Sequence, residues 1–453
     1  MGDVPSSVLE ALVATARRAR DIDDRDRAKL RIVLGDAIAV AALAADTPAA
    51  RSARAYAAAA ASGPATAFGV ASRVPVEAAV LANAAQIHAL LLDDAHSATM
   101  THPGTVVIPV VLALAEERDA SAAEVERAVS VGYEVMTAAA APAAELTAAR
   151  GFRNVTLFGA FGAAAAAAEL LGLDDDRLAA ALAIAAGSAG GTLQAFRVGS
   201  PEWRTQVGIA AQNGLTAARL AASLDPAQLP VPRDALDGAA SVYTVLAGRE
   251  EDWVRRMPPP ARRLHEITHK AHATCGANQV PIGALTAILR AEPIAVDDVE
   301  RVDIALGRAG YAYPGTEDTG PFTEEGTLLS RPLAIAATLL AGGGPLGAAT
   351  LRDALADPRL DAVVARVHSR PVDESELAIP QDARVDVTLR DGTVRSAALA
   401  DVDPRELAPD WPATRRRLET ALPTTGTAVA DVLERVPAGS ARDLLATIHG
   451  DPR

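Results

Sequence analysis

The sequence predicts a mainly α protein, a large all-helical domain with a smaller α+β domain, and three observations carry that prediction. Half of the 453 residues are apolar while only 3% are aromatic; the balance is largely alanine, the best helix former and a small side chain. From about residue 7 to 225 one helical pattern follows another. Beyond the proline triplet Pro258–Pro260, strand-like alternation enters between helices. A chain this long exceeds one ordinary core, so two domains are expected.

Taken in order, Leu30–Ala45 is apolar almost all round, as a buried helix is, and Val76–Leu92 is another. Pro103 suits the first position of a helix running to about Arg118, because its missing N–H would find no partner there. Ser121-Ala-Ala-Glu124 reads as a capping box that opens a helix through Ala139. Thr156–Leu171 follows, then Arg177–Gly187 behind the acidic cluster Asp174–Asp176, which favours a helix N-terminus. Gln206–Leu224 closes the series. Further on, Val299–Leu306 alternates in part and Ala362–His368 holds a short strand-like run. Arg384–Leu389 alternates cleanly, and Asp391-Gly392 turns the chain into a second run, a hairpin signal because these residues tolerate positive φ. Helices are expected between these pieces at Pro281–Leu289, Arg331–Leu340 and Leu346–Ala356. After Trp411 the pattern is helical again, at Ala413–Leu422 and Val429–Arg435, suited to pack on the first domain. The expected partition is 1–265 helical, 266–405 α+β, and 406–453 a helical return.

The formal charge of −14 argues against a nucleic-acid partner, which usually needs a basic patch. A single cysteine, Cys275, excludes an intramolecular disulfide and a cysteine-rich zinc site. The N-terminal Met-Gly-Asp-Val-Pro has no basic region leading into an apolar stretch. Runs such as Ala163–Ala168 end at Glu169, too short to span a bilayer. A cytoplasmic location without membrane contact is therefore expected, in a chain whose alanine and arginine content suggests a bacterial source. Closely packed small side chains bury little area per helix, so further burial in a homodimer is expected.

Four polar segments stand out. The first runs from His88 through Asp93-Asp94-Ala-His96-Ser-Ala-Thr-Met-Thr-His102 to Pro103-Gly104. Two carboxylates, two histidines and three hydroxyls stand there between apolar helices, and His102 precedes a helix N-terminus able to attract an anion. Imidazole beside carboxylate is the commonest acid–base pairing. The plain structural alternative is that Asp93, Asp94 and Thr101 cap helices while His96 is exposed. A metal site from Asp93, His96 and His102 lacks any familiar ligand spacing, so no metal or other cofactor is expected. The second segment, Gly151-Phe-Arg153 to Gly159-Ala-Phe-Gly162, has glycines but no preceding strand, so close helix contact explains them better than a phosphate loop. Its Arg153 could bind a carboxylate bidentately. The third, Pro201 to Gly214, carries Arg204 ahead of a small-residue helix whose Gln212 and Asn213 suit buried neighbours. The fourth, Thr268 to Gly276, gathers His269, Lys270, His272 and Cys275 at the proposed domain junction, where clefts form.

In this order the four segments resemble the MmgE/PrpD family of 2-methylcitrate dehydratases and cis-aconitate decarboxylases. The family's Asp-Asp-Thr-His…His-Pro-Ser/Gly loop is similar to Asp93-Asp94-Ala95-His96…His102-Pro103-Gly104, and its Gly-Phe-His…Gly-Ala-x-Gly to Gly151-Phe152-Arg153…Gly159-Ala160-Phe161-Gly162. Its Lys-x-Leu-His…Gln-Asn-Gly stretch looks like Trp203 to Gly214, and its Lys-x-x-x-Cys-Cys like Lys270 to Cys275. The resemblance covers nearly the whole chain. It implies a helical domain built from both chain ends, an α+β lid, an active site between them, a dimer, and removal of water or CO₂ from small carboxylates, or their epimerisation, without a required metal. It further implies His102 for proton transfer, Lys270 for carboxylate or enolate stabilisation, and Asp93 in support.

The departures bear on the substrate. The acid two residues before the Asp pair is Leu91 here, the following threonine is Ala95, and the histidine of Gly-Phe-His is Arg153. The family lysine falls at Trp203, beside Arg204, its partner histidine at Gln206, and the aromatic of Ser-x-Pro-Tyr at Leu333. These changes point away from 2-methylcitrate, towards another small anionic carboxylate or a more apolar acid. The expected substrate-binding set is Arg153, Arg204, His96, Gln206, His272 and Cys275. An epimerase is the alternative, with His272 or Cys275 as the second base; a non-catalytic binding or assembly protein is the other.

Overall fold

The computed structural model describes residues 5–320, 322, 324–377, 382–435 and 441–449. Its first part is a stack of helices: α1 (Val8–Ala19), α2 (Asp24–Leu43), α3 (Pro48–Ala58), α4 (Val76–His88), α5 (Pro103–Arg118), α6 (Ala122–Ala140), α7 (Gly159–Leu171), α8 (Asp175–Ala186) and α9 (Trp203–Ala222). Local chemistry sets their starts. At α6 the Ser121 hydroxyl accepts from the Glu124 amide (3.3 Å) while the Glu124 carboxylate accepts from the Ser121 amide (2.8 Å). Asp174 likewise caps α8 by accepting from Arg177 N at 2.9 Å.

Small residues decide how closely the central helices approach. A Cβ on Gly162 would sit 2.6 Å from Met136 Cβ, and one on Gly214 would sit 2.4 Å from Ala163 Cβ. The glycines of α7 and α9 are therefore contact surfaces, and the phosphate-loop alternative has no support. Around Ala163–Ala168 the apolar stretch is longer than its sequence suggested. Residues Asn154–Leu171 are long and apolar enough to cross a membrane, but 89% of that span is buried inside the protein, as in a core helix.

The second part holds α10 (Gln279–Ala291), β1 (Val299–Gly307), α11 (Arg331–Leu340), α12 (Ala348–Ala356), β2 (Val367–Val372), β3 (Ala383–Leu389) and β4 (Val394–Ala397). The strands form one sheet in the order β2-β1-β3-β4. β1 and β2 run parallel, with Val302 opposite Val367, and the helices between them supply the crossover that parallel strands need. β3 pairs antiparallel with β1 and with β4, the latter across a turn in which Gly392 has φ +86°. Ala362–His368, read as one strand, splits instead: a helical turn at Leu360–Val364 precedes β2.

The chain ends in α13 (Trp411–Ala421), α14 (Gly426–Glu434) and α15 (Ala441–His449), whose Leu418, Leu433 and Leu445 join the core of α2, α4 and α5. A second core combines Leu285, Ile304 and Val385 around the sheet with Leu91, Phe196 and Trp203 from the helical part. Those last three residues mark where the two parts meet. That seam holds the candidate site.

Candidate active site

Backbone pairing draws the first and fourth segments together. Ala95 N donates to Thr268 O (2.9 Å), and Thr268 N returns a bond to Ala95 O (2.8 Å). The second segment joins them through Asn154, whose amide donates to Thr99 O at 3.1 Å, while Arg153 N donates to Gly191 O at 3.1 Å. Leu91 and Met100, which flank the loop, both adopt the left-handed region (φ 50° and 54°). Such conformations cost energy and persist where surrounding contacts enforce them. The Leu91 carbonyl, turned by this conformation, accepts from Lys270 Nζ at 2.7 Å.

Inside lies a buried cluster of charge. His88 Nδ1 donates to Asp93 Oδ2 at 2.9 Å, and the Arg153 guanidinium donates to His88 Nε2. A guanidinium only donates, so His88 must be neutral with its proton on Nδ1. Burial, with Arg153 and Lys270 nearby, lowers its pKa to about 4 against the pull of Asp93. Arg153 also donates to Trp203 O, lies 4.9 Å over the Phe196 ring, and is lowered by burial only to about 10, so it keeps its charge. Burial pushes the Asp93 carboxyl up, but His88, Lys270 and His102 outweigh it and hold Asp93 well below the usual range. Asp93 Oδ1 has no hydrogen-bond partner among the described residues; Lys270 Nζ lies 3.9 Å away.

His102 completes the cluster as the cap residue before Pro103. Its Nδ1 donates to the Asp94 carbonyl (2.7 Å), and a carbonyl only accepts, so the lone pair of the neutral ring belongs to Nε2. Nε2 has no hydrogen-bond partner among the described residues. Burial, then Lys270, lower the imidazole pKa to about 3, with Asp93 opposing. Asp94 turns the other way. It accepts from Gly104 N (2.9 Å), capping α5, and from the Tyr133 hydroxyl (2.7 Å). A Cβ at Gly104 would lie 2.8 Å from Asp94 Oδ1, which is why a glycine stands there.

His102, Lys270 and Arg153 line one cavity of about 40 Å³, room for roughly three waters, with Leu91, Phe196 and Tyr313 among its other walls. Its size requires the walls to move before an acid of several carbons enters. A larger groove of about 570 Å³ opens beside the α1–α2 turn, but it is lined by paired charges such as Arg262–Asp26 (2.5 Å) and carries no histidine or lysine. Among the described residues no group of three or more His, Cys, Asp or Glu is placed to hold a metal ion.

The remaining expected site residues divide. Cys275 lines the cavity, and burial pushes its thiol pKa up. His96 does not line it and is not exposed: its ring is buried between Thr99 (2.8 Å) and Glu266 (2.9 Å), stapling the loop. Arg204 stacks on Trp203 at 4.3 Å and donates to Ala89 O, off the cavity wall. Among the described residues Gln206 reaches the site through Arg153, which donates to its Oε1 (3.4 Å). His272 is held by Leu346 N (3.2 Å) and Glu406 (3.3 Å), also off the wall. Leu333 is buried in the second core. In the third segment Gln212 donates to Glu77 O (2.7 Å) and Asn213 to Ser188 O (3.4 Å), support for neighbouring backbone. Sequence reading gave no role to His88, Tyr313 or the Leu91 carbonyl. His88 carried one signal, a histidine in the last turn of a mostly apolar helix.

Comparison with known proteins finds two family-model matches along the chain. The MmgE/PrpD N-terminal domain model matches residues 11–252, and the MmgE/PrpD C-terminal domain model matches residues 272–420. The chain is 30% identical over 285 residues to the cis-aconitate decarboxylase-like protein oryM of Aspergillus oryzae, a match covering 59% of each chain. It is 30% identical over 254 residues to the cis-aconitate decarboxylase of Aspergillus terreus, covering 52% of this chain and 51% of that one. The matched stretch thus spans about half to three-fifths of the length of these fungal relatives.

Proposed function

The chain belongs to the MmgE/PrpD family, and we propose that it is a lyase that removes water or CO₂ from a small carboxylate through proton transfer at the carbon next to a carboxyl group. One observation carries this reading. The free lone pair of His102 Nε2 and the cations Lys270 and Arg153 belong to one cavity wall. Proton abstraction beside a carboxylate needs a neutral base and fixed positive charge for the developing enolate.

His102 is neutral before substrate arrives, because burial and Lys270 disfavour the imidazolium. An anionic substrate at Lys270 offsets that cation's field, so binding itself raises the basicity of Nε2. In a dehydration His102 Nε2 takes the proton, the C–H electrons form the double bond, and the C–O bond breaks as the hydroxyl leaves as water with the proton returned by the His102 imidazolium. In a decarboxylation the C–C electrons stay on carbon as CO₂ departs, and that carbon then takes a proton drawn from solvent through His102 Nε2. Asp93 keeps Lys270 and His88 in place without touching the reacting atoms.

The epimerase alternative needs a second base on the opposite face. His272 is off the wall, and burial raises the pKa of both Cys275 and Tyr313, so neither is an anion at neutral pH. The lyase reading is therefore preferred. Proton NMR in deuterated water, with small hydroxy and unsaturated acids, tests it. The expected result is solvent exchange or product formation that falls by about 10³-fold in His102→Asn, within the range a general base supplies. Undiminished turnover in that variant refutes the assignment.

A further inference from the structure

Among the described residues the charges around the cavity leave a single positive charge uncompensated. Lys270 and Arg153 are the cations on its wall, and Asp93 is the one described carboxylate facing them. His88 is neutral because its Nε2 accepts from Arg153, and the Nε2 lone pair of His102 is free. Behind the wall Arg417 is paired with Asp36, and Lys29 lies in the field of Asp94 and Asp36. Arg331, fully buried, is paired with Glu317.

Donor supply agrees with this count. Arg153 already spends its Nη1 on Trp203 O and Gln206, and Nη2 on His88. Among the described residues no third cation lines the cavity; Leu91, Phe152, Val155, Phe196 and Leu329 make most of its other walls apolar, and Asn154, Tyr313 and Cys275 are the neutral polar side chains among them. A buried charge without a partner is strongly disfavoured. One carboxylate matches the one uncompensated cation, and a second would meet only neutral side chains.

We infer that the site takes a monocarboxylate with a short apolar chain and excludes di- and tricarboxylates. The inference rests on this cavity being the reaction site, but its test reads binding. Saturation-transfer NMR and competition on the full chain compare crotonate and 3-hydroxybutanoate with fumarate, citrate and cis-aconitate, and with the uncharged crotonamide. The expected order is monocarboxylate tightest, with the di- and tricarboxylates weaker by at least about 100-fold for each unpaired charge. Arg153→Gln should cost crotonate at least about tenfold while leaving crotonamide unchanged, because the cavity then carries no net charge. The wild-type series stands alone if that variant does not fold. Equal or tighter binding of citrate or cis-aconitate, or no binding by either class, overturns the inference. Monocarboxylates that bind without proton exchange or turnover would leave the substrate class standing and sink the lyase reading.

Discussion

On the cavity side of the loop between α4 and α5, Asp93 stands among His88, His102 and Lys270; on the core side the carboxyl of its neighbour Asp94 accepts from the Tyr133 hydroxyl and the Gly104 amide, with Lys29 in its field. Both carboxyls are buried, and burial pushes both pKa values up. On one side nitrogen groups reverse that push and Asp93 stays ionised. On the other, two hydrogen bonds fall short, Asp93 and Asp36 add repulsion, and Asp94 rises to about 7. Depth does not set the charge of a buried acid here; the identity of its neighbours does.

Asp93→Asn is the most severe way to break this contrast. It removes the anion that offsets two buried cations, so stability should fall by about 3 kcal/mol, as when one partner of a buried pair is lost. Urea denaturation at pH 7.5 measures the loss. If the charge count of the cavity is right, the same variant, now with one more uncompensated cation, should improve the affinity of fumarate relative to crotonate. A relative affinity that does not move would show that Asp93 does not set the charge the cavity accepts.

Arg417→Gln probes a link between the two sides. Arg417 of α13 donates to the Lys270 carbonyl (2.6 Å) and pairs with Asp36 of α2, so a C-terminal helix positions the cavity lysine. Turnover should fall about tenfold through misplacement of Lys270. Stability should fall as well, by about 2 kcal/mol, because Asp36 is left buried and unpaired. Adding Asp36→Asn should restore the stability and leave the turnover defect, which separates positioning from folding in one double-mutant cycle. Recovery of both would mean that Arg417 acts only through Asp36.

What the sequence could disclose followed the range of the interaction involved. The Ser121–Glu124 capping box spans three residues, and it was legible as written. The strand at Val367 depends on pairing with Val302, far away in the chain, so a short apolar run gave no sign of where helix ended and strand began. In the site, His102 was expected as the base and His96 as a substrate-binding residue of the same polar loop. The left-handed turn at Met100 lies between them, and one ring meets Glu266 while the other meets the cavity. His88 was hidden because its partners, Asp93 and Arg153, become visible only once the chain is folded. The Lys270 ligand at Leu91 is a backbone carbonyl, which no side-chain pattern encodes.

Asp94→Asn should have the smallest effect, and its sign sharpens the contrast. The asparagine oxygen can still accept from Gly104 N, and the Tyr133 hydroxyl can turn to accept from the amide, so the loss at pH 7.5 should stay below about 1 kcal/mol. Its pH dependence is more telling. The folded Asp94 carboxyl, at about 7, holds a proton that the unfolded chain, at the ordinary carboxyl value of 3.8, has already released. Its contribution to stability is therefore complete below pH 3.8 and is lost as pH rises towards 7. Asp93 has the opposite sign: its folded pKa lies below 3.8, so its contribution is present above that value and is lost only as pH falls further. Between pH 5.5 and 7.5 the wild-type minus Asp94→Asn stability difference should decline by about 2 kcal/mol, measured by denaturation midpoints at each pH. A flat difference would mean that Asp94 is ionised throughout, and the two sides of the loop would then be electrostatically alike.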